Sequence, residues 1–141
     1  MKIYKNFKIE KKFQNSAIAI GNFDGFHLGH QKVINQGKLI AKKNNLKFGL
    51  LVFQPLPIMF FNKKLKNYRI DSLDQKILSS KKHGFDFLII KKFDTKFSSI
   101  SPENFIKEII YKKLKTKLIF MSKNFKFGKN RGGDVKLLKK R

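Results

Sequence analysis

Short apolar runs that alternate with segments of helical spacing constrain what this chain can fold into. The runs occupy 16–20, 46–53, 85–90 and 117–121, and 31–43 has the spacing of a helix. Strands that alternate with helices favour a mostly parallel sheet covered by helices on both faces, joined by right-handed crossovers. The sequence therefore predicts an α/β fold that binds its ligands at the carboxyl ends of the strands.

Local signals mark where two further helices begin and end. Ser72 and Gln75 have capping-box spacing ahead of an apolar face formed by Leu73, Ile77 and Leu78, and 83–84 (His-Gly) is expected to end this helix. Ser101 is the expected N-cap of the next helix, with proline at its first position. The predicted buried stripe of that helix is Phe105, Ile106, Ile109, Ile110 and Leu114.

Length and composition exclude several classes of protein. The 141 residues suit one domain, and the absence of cysteine excludes disulfides and thiolate metal sites. Residues 1–13 lack the apolar centre of a signal peptide, and no apolar run approaches the ~20 residues of a membrane span. We therefore expect a cytoplasmic protein that does not contact a membrane.

The formal net charge of +24 has three interpretations. Lysine, asparagine, isoleucine and phenylalanine are abundant, whereas Arg69, Arg131 and Arg141 are the only arginines, a bias expected of an A+T-rich coding sequence. A positive field also gathers anionic small substrates, and a basic chain is a candidate for binding nucleic acid. Lysines spread along the chain without a basic tail, so no specific nucleic-acid partner is expected.

The segment with the most chemistry is GNFDGFHLGH, from Gly21 to His30, between the first apolar run and the first helical segment. Gly25 and Gly29 allow close approach of a ligand and tight packing of the helix. His27 and His30 are three residues apart, so both imidazoles can face one ligand beside the positive end of the helix dipole. Such donors suit a polyphosphate whose negative charge grows during phosphoryl exchange.

Two other interpretations of these histidines stay open. In the first, His27 and His30 are surface or helix-capping residues; in the second, they are ligands of a zinc ion. A zinc site needs further His, Cys or carboxylate ligands, and the remaining histidine, His83, lies on another predicted element. We therefore predict no metal held by protein ligands alone.

At this point the sequence resembles a known family. G-x-F-D-G-x-H-x-G-H is similar to the signature of the flavin adenylyltransferases, the N-terminal module of bacterial bifunctional riboflavin kinase/FAD synthetase, within the HxGH nucleotidyltransferase superfamily. The segments 53–57 (FQPLP), 68–73 (YRIDSL), 93–97 (FDTKF) and 124–134 (NFKFGKNRGGD) resemble further family motifs in order and spacing. The resemblance covers nearly the whole chain and implies a Rossmann-like nucleotidyltransferase fold.

The resemblance implies transfer of AMP from ATP to FMN, giving FAD and pyrophosphate, with Mg²⁺ bound to the ATP phosphates. His27 and His30 are then the expected catalytic residues. The expected ATP-binding residues are Gly21, Asn22, Phe23, Asp24, Gly29, Asn124 and Arg131. The expected FMN-binding residues are Phe53, Pro55, Pro57 and Phe127.

The chain also departs from the family pattern. Gln54, Asp71, Gln75 and Ser122 replace the usual acid, Thr, Glu and Gly, and the sequence stops before the S-S-T-x-x-R segment that helps to hold the ATP phosphates in this superfamily. We therefore expect residues 1–141 to be an FAD synthetase domain truncated before that segment and without a riboflavin kinase domain, either as a fragment of a longer polypeptide or as a truncated gene product. The alternatives are an inactive nucleotide- or flavin-binding module, a basic nucleic-acid binder, or a nucleotidyltransferase of another specificity.

Overall fold

The structure, a computed structural model, describes residues 1–21, 28–54 and 73–121, and within them five parallel strands form one sheet. The strands are β1 (Lys2–Tyr4), β2 (Ala17–Ile20), β3 (Phe48–Gln54), β4 (Phe87–Lys92) and β5 (Leu118–Met121). Their order across the sheet is β1-β4-β3-β2-β5, and every neighbouring pair is parallel. The predicted parallel α/β sheet is confirmed.

Helices connect the strands. They are α1 (Leu28–Lys43), α2 (Leu73–Lys82), α3 (Thr95–Ser98), α4 (Pro102–Asn104), which continues directly as a π-helical segment (Phe105–Lys113), and a 3₁₀ turn (Lys11–Phe13). Ser101 is the N-cap of α4, since its hydroxyl accepts a hydrogen bond from the Asn104 N–H at 3.2 Å. This cap was predicted from the sequence.

The sheet is covered on both faces, as the sequence predicts. Ala17 and Ala19 of β2 belong to one core with Ile34 and Ala41 of α1. The intervening Ile18 belongs to the opposite core, which also contains the buried residues of the π-helical segment and the N-terminal residues Phe7, Ile9 and Phe13. Successive residues of the central strand therefore serve two different cores, the arrangement of a sheet between two helical layers.

One strand and one helix residue differ from the sequence prediction. Strand β1 was not predicted, because its three residues alternate charged and apolar types like the segment that follows; its partner is β4, far along the chain. Leu78 was predicted to lie on the buried face of α2, but its side chain is 68% exposed. The neighbouring residue Ile77, which was predicted to lie on the same face, does pack against the core.

The end of α2 explains why β4 begins at Phe87 rather than at Phe85. Gly84 has φ +81°, and its N–H donates to the Lys81 carbonyl at 3.1 Å, while the Phe85 N–H reaches the Ser80 carbonyl at 3.4 Å. These two hydrogen bonds form a Schellman motif, with glycine at the left-handed position. Phe85 is therefore part of the helix ending, although its side chain is buried.

The π-helical segment keeps its apolar residues on one side. All five residues of the predicted stripe are buried, from Phe105 to Leu114. In an α-helix the nine steps between those two residues make about two and a half turns, which would place them on opposite sides. A π-helix has about 4.4 residues per turn, so the same steps make about two turns. The Leu114 N–H accordingly donates to the Ile109 carbonyl, five residues back, at 2.9 Å.

Gly49 is required by its neighbour on β4. Gly49 pairs with Phe87, and a Cβ at Gly49 would overlap the ring of Phe87, a fully buried side chain. We expect Gly49→Ala to lower the free energy of unfolding by about 2 kcal/mol, the usual scale for overpacking a core. Urea denaturation followed by circular dichroism measures this.

A second substitution tests the cause of that loss. In the Phe87→Leu background the added methyl group has room, so Gly49→Ala should cost clearly less than in the wild-type chain. An equal cost in both backgrounds would contradict the proposed overlap.

Two left-handed positions should respond in opposite directions. Gly84→Ala places a Cβ at φ +81° and should reduce stability by about 1–2 kcal/mol. Lys115, which is exposed and has φ 51°, lies just beyond the π-helical segment, and Lys115→Gly should raise stability by about 1 kcal/mol. Thermal unfolding of both variants checks the pair, and shifts of the same sign would refute this explanation.

Candidate active site at the carboxyl edge of the sheet

Four sequence segments that are far apart in the chain follow the strands at one edge of the sheet. Because β2, β3, β4 and β5 are parallel, their carboxyl ends lie at the same edge. The GNFDGFHLGH segment follows β2, FQPLP begins on β3, FDTKF follows β4, and NFKFG comes three residues after β5. The fold therefore brings to one edge the ends of the four strands that precede or begin these segments.

The order of the strands also singles out the central strand. From β2 the chain proceeds through α1 to β3 on one side, and it later returns to β2 on the other side as β5. A reversal of this kind is a topological switch point, and a crevice forms there outside the carboxyl ends of the strands. The glycine- and histidine-rich segment begins at that point.

The main-chain hydrogen bonds between β2 and β3 continue past the end of β2. Gly21 is buried, and its N–H donates to the Leu51 carbonyl of β3 at 3.3 Å, so the ladder extends one residue beyond the strand. Helix α1 begins at Leu28, three residues earlier than the helical spacing predicts, so His30 is its third residue. The N–H groups of a first helical turn have no partner within the helix, which favours anions there.

Strand β3 extends past the end of β2. Ile20, the last residue of β2, pairs with Leu51, so 52–54 of β3 extend beyond the end of β2. Phe53, one of the predicted flavin contacts, lies in this extension but is only 3% exposed. Its ring packs against Phe93 and Phe97, with centroids 6.0 and 5.4 Å away. The structure thus places Phe53 at the predicted edge and within the core.

The other predicted site residues lie outside the described residues or have side chains that are not described. Gly29 and His30 are within α1, for which only the main chain is described there. The residues outside the described ranges are Asn22, Phe23, Asp24, His27, Pro55, Pro57, Asn124, Phe127 and Arg131. Their roles stay predictions.

Asp94 organises the segment that follows β4. Its carboxylate accepts a hydrogen bond from the Phe97 N–H at 2.8 Å and is the N-cap of α3. This hydrogen bond lowers the pKa of Asp94, and the charges of Lys91 and Lys92 act in the same direction. Asp94 therefore has a structural role, consistent with its omission from the predicted site.

His83 lies far from this edge. It follows α2 in the turn that leads to the amino end of β4, and its carbonyl accepts a hydrogen bond from Lys38 Nζ at 3.5 Å. Burial lowers the pKa of His83, and the charges of Lys82 and Lys38 add to this effect. In the described part of the chain no group of three or more His, Asp or Glu residues is placed to hold a metal ion.

A parallel sheet between two helical layers, with a topological switch point at its central strand, defines the class of open doubly wound α/β proteins. Within that class the chain belongs to the FAD synthetase family, since residues 9–141 match the model of that family.

Sequence similarity to curated proteins supports this membership. The chain is 41% identical over 140 residues to the bifunctional riboflavin kinase/FMN adenylyltransferase of Buchnera aphidicola subsp. Schizaphis graminum, a match that covers 99% of the chain and 45% of that protein. It is 31% identical over 127 residues to the protein of the same name from Escherichia coli K12, covering 90% and 41%. The chain thus spans about half the length of the curated relatives it matches.

The fold is also found in a solved structure. A protein described as a macrolide-efflux protein from Streptococcus pneumoniae superposes with a TM-score of 0.83 over 98% of this chain and 45% of that one, at 23% identity. This likeness supports the fold. Among the helices that the structure describes, none is long and apolar enough to cross a membrane.

The cap formed by Asp94 should make stability depend on pH. Because folding lowers the pKa of this carboxyl, its contribution is complete above the ordinary value of 3.8 and is lost as the pH falls through the lower folded pKa. Asn at this position still caps a helix but does not titrate. We therefore expect Asp94→Asn to lose less stability than the wild type between about pH 5 and pH 2, as measured by urea denaturation at each pH; parallel curves would contradict this role.

Proposed function

We propose that this chain is an FMN adenylyltransferase, which transfers AMP from ATP to the phosphate of FMN to give FAD and pyrophosphate. The observation that carries the proposal is that the strands preceding the four family-like segments, β2, β3, β4 and β5, end at the same edge of the sheet. Membership of the FAD synthetase family and the names of the relatives support it. The proposed location is cytoplasmic.

The reaction needs alignment and charge neutralisation rather than a covalent enzyme intermediate. An oxygen of the FMN phosphate attacks the α-phosphorus of ATP, the new P–O bond forms, and the bond to pyrophosphate breaks. The nucleophile is already anionic, so no general base is required. What the protein supplies is the in-line arrangement of two phosphates and positive groups for the charge that develops.

His27 and His30 are proposed to supply those positive groups. His30 is the third residue of α1, and His27 immediately precedes that helix. In these roles they bind the ATP phosphates and stabilise the charge that develops at the α-phosphorus, helped by the N–H groups of the first helical turn.

Other segments at this edge are proposed to hold the rest of the two substrates. Residues 21–24 and Gly29 surround the nucleotide, mainly through their main chain, and Asn124 and Arg131 contact its phosphates. Pro55, Pro57 and Phe127 line the flavin side, with Phe53 behind them. Mg²⁺ neutralises phosphate charge and is held mostly by substrate oxygens and water.

The direct test is to incubate the purified chain with ATP, Mg²⁺ and FMN and to measure FAD and pyrophosphate by chromatography. We expect FAD to form. His27→Ala and His30→Ala should each lower turnover by about a hundredfold, because each removes a donor that stabilises charge. Unchanged turnover in both variants would overturn the assignment of the histidines.

His83→Ala is the matched control, since it removes an imidazole from the opposite edge of the sheet and should leave turnover unchanged. If the wild-type chain forms no FAD, calorimetry with ATP and with FMN separates the remaining outcomes. Binding of both ligands without turnover would favour a binding module, and binding of neither would overturn the proposed function.

A further inference from the structure

A group of phenylalanine rings occupies the end of the sheet formed by β3 and β4. This aromatic cluster consists of Phe7, Phe53, Phe93, Phe97 and Phe105. Phe97 is at its centre, with the centroids of the other four rings 5.4–6.2 Å from its own. The cluster joins the N-terminal segment, β3, α3 and the start of the π-helical segment.

The members of the cluster differ in how much ring surface they leave accessible. Phe53, Phe97 and Phe105 are 3%, 8% and 1% exposed, and Phe7 is also buried. Lys91 lies over the rings of both Phe7 and Phe97, with its Nζ 5.5 Å from each centroid. Phe93 alone in the cluster is only partly buried. It therefore carries the ring surface that the cluster offers to a ligand.

Phe93 is also in the right place for a ligand of the proposed site. It follows β4 directly at the carboxyl edge, and it meets the rings of Phe53 and Phe97 edge to face at interplanar angles of 79° and 78°. Phe53 in turn lies in the part of β3 that extends past β2. The cluster thus lies at the edge of the sheet where the chain leaves β2 at Gly21.

We infer that Phe93 presents the aromatic surface against which the flat ring system of the flavin packs, and that Phe53 acts from behind as a positioning residue. The inference rests on the proposed function and names the residue that would discriminate a flavin from a substrate without an extended aromatic ring. A ring held edge to face by two buried neighbours has few orientations, so little entropy is lost when a second ring packs on it.

A purely structural role for Phe93 must be tested against this one. Phe93 immediately precedes the N-cap Asp94, and its ring contacts Phe97 in the first turn of α3, so it also helps to fix the entry of that helix. A variant that loosens α3 without changing an aromatic residue separates the two roles. Asp94→Ala is such a variant, since it removes the helix cap and none of the rings.

The experiment measures dissociation constants of FMN and of ATP by calorimetry for the wild-type chain and its variants. Phe93→Leu should weaken FMN binding about tenfold, a reasonable scale for losing one aromatic contact, and leave ATP binding unchanged. Phe93→Tyr should retain FMN affinity. Asp94→Ala should alter FMN affinity by less than about twofold, and Phe53→Leu should lower thermal stability more, and FMN affinity less, than Phe93→Leu.

Several results would overturn the inference. Wild-type FMN affinity in Phe93→Leu would do so, as would an equal loss of FMN and ATP affinity, which indicates a general defect of the fold. An equal effect of Asp94→Ala would assign the ring to the support of α3. In each of these cases the wild-type chain still binds FMN and the proposed function stands, whereas a wild-type chain that binds no FMN overturns both.

Discussion

The parallel pairing of β2 with both of its neighbours is the constraint on which the rest of the structure depends. β2 is almost completely buried, with Ala17 to Ile20 between 0% and 1% exposed, and all its residues pair with β3 and with β5. Its alanines face the layer that contains α1, and its isoleucines face the layer that contains the π-helical segment. Because both ladders are parallel, every loop that leaves this part of the sheet through a carboxyl end emerges on the same side.

The parallel arrangement places structural contacts near the amino ends of the strands and the proposed site near their carboxyl ends. Gly84 and the Schellman motif, the Asp86 carboxylate that accepts the Phe48 N–H at 2.9 Å, and His83 all lie near the amino ends of the strands. The family-like segments lie beyond the carboxyl ends. Substitutions at the amino edge should therefore act on the fold alone, whereas the carboxyl edge holds both structural groups such as the Asp94 cap and the proposed site.

Much of the fold could be predicted from the sequence because its signals are local. The alternating pattern identified four strands, Ser101 and Pro102 marked a helix start, and Gly84 marked a helix end. Strand β1 could not be predicted, since three residues carry little pattern and the partner strand is distant in sequence. The π-helical geometry was also missed: the apolar residues that require it still look like an ordinary amphipathic stripe.

The candidate site shows the same division. The strand–helix alternation predicts a parallel sheet, and the structure shows that β2, β3, β4 and β5 end at one edge; that this edge binds ligands stays a prediction. The burial of Phe53 and the partial exposure of Phe93 depend instead on how five rings from four segments pack, which no single stretch of sequence specifies. The functional roles of His27 and His30 rest on the family resemblance and stay predictions.

The position of β1 has a consequence for how the chain acquires its structure during synthesis. Lys2 pairs with Phe87, so β1 waits for a partner strand that is synthesised 85 residues later. Pairing across such a sequence separation closes a large loop and is slow compared with the formation of local helices. Until β4 has emerged, the edge of β3 that pairs with it is open. Phe13 likewise lacks the ring of Phe87, against which it packs in the folded protein. The N-terminal segment thus completes its docking only after β4 has been synthesised.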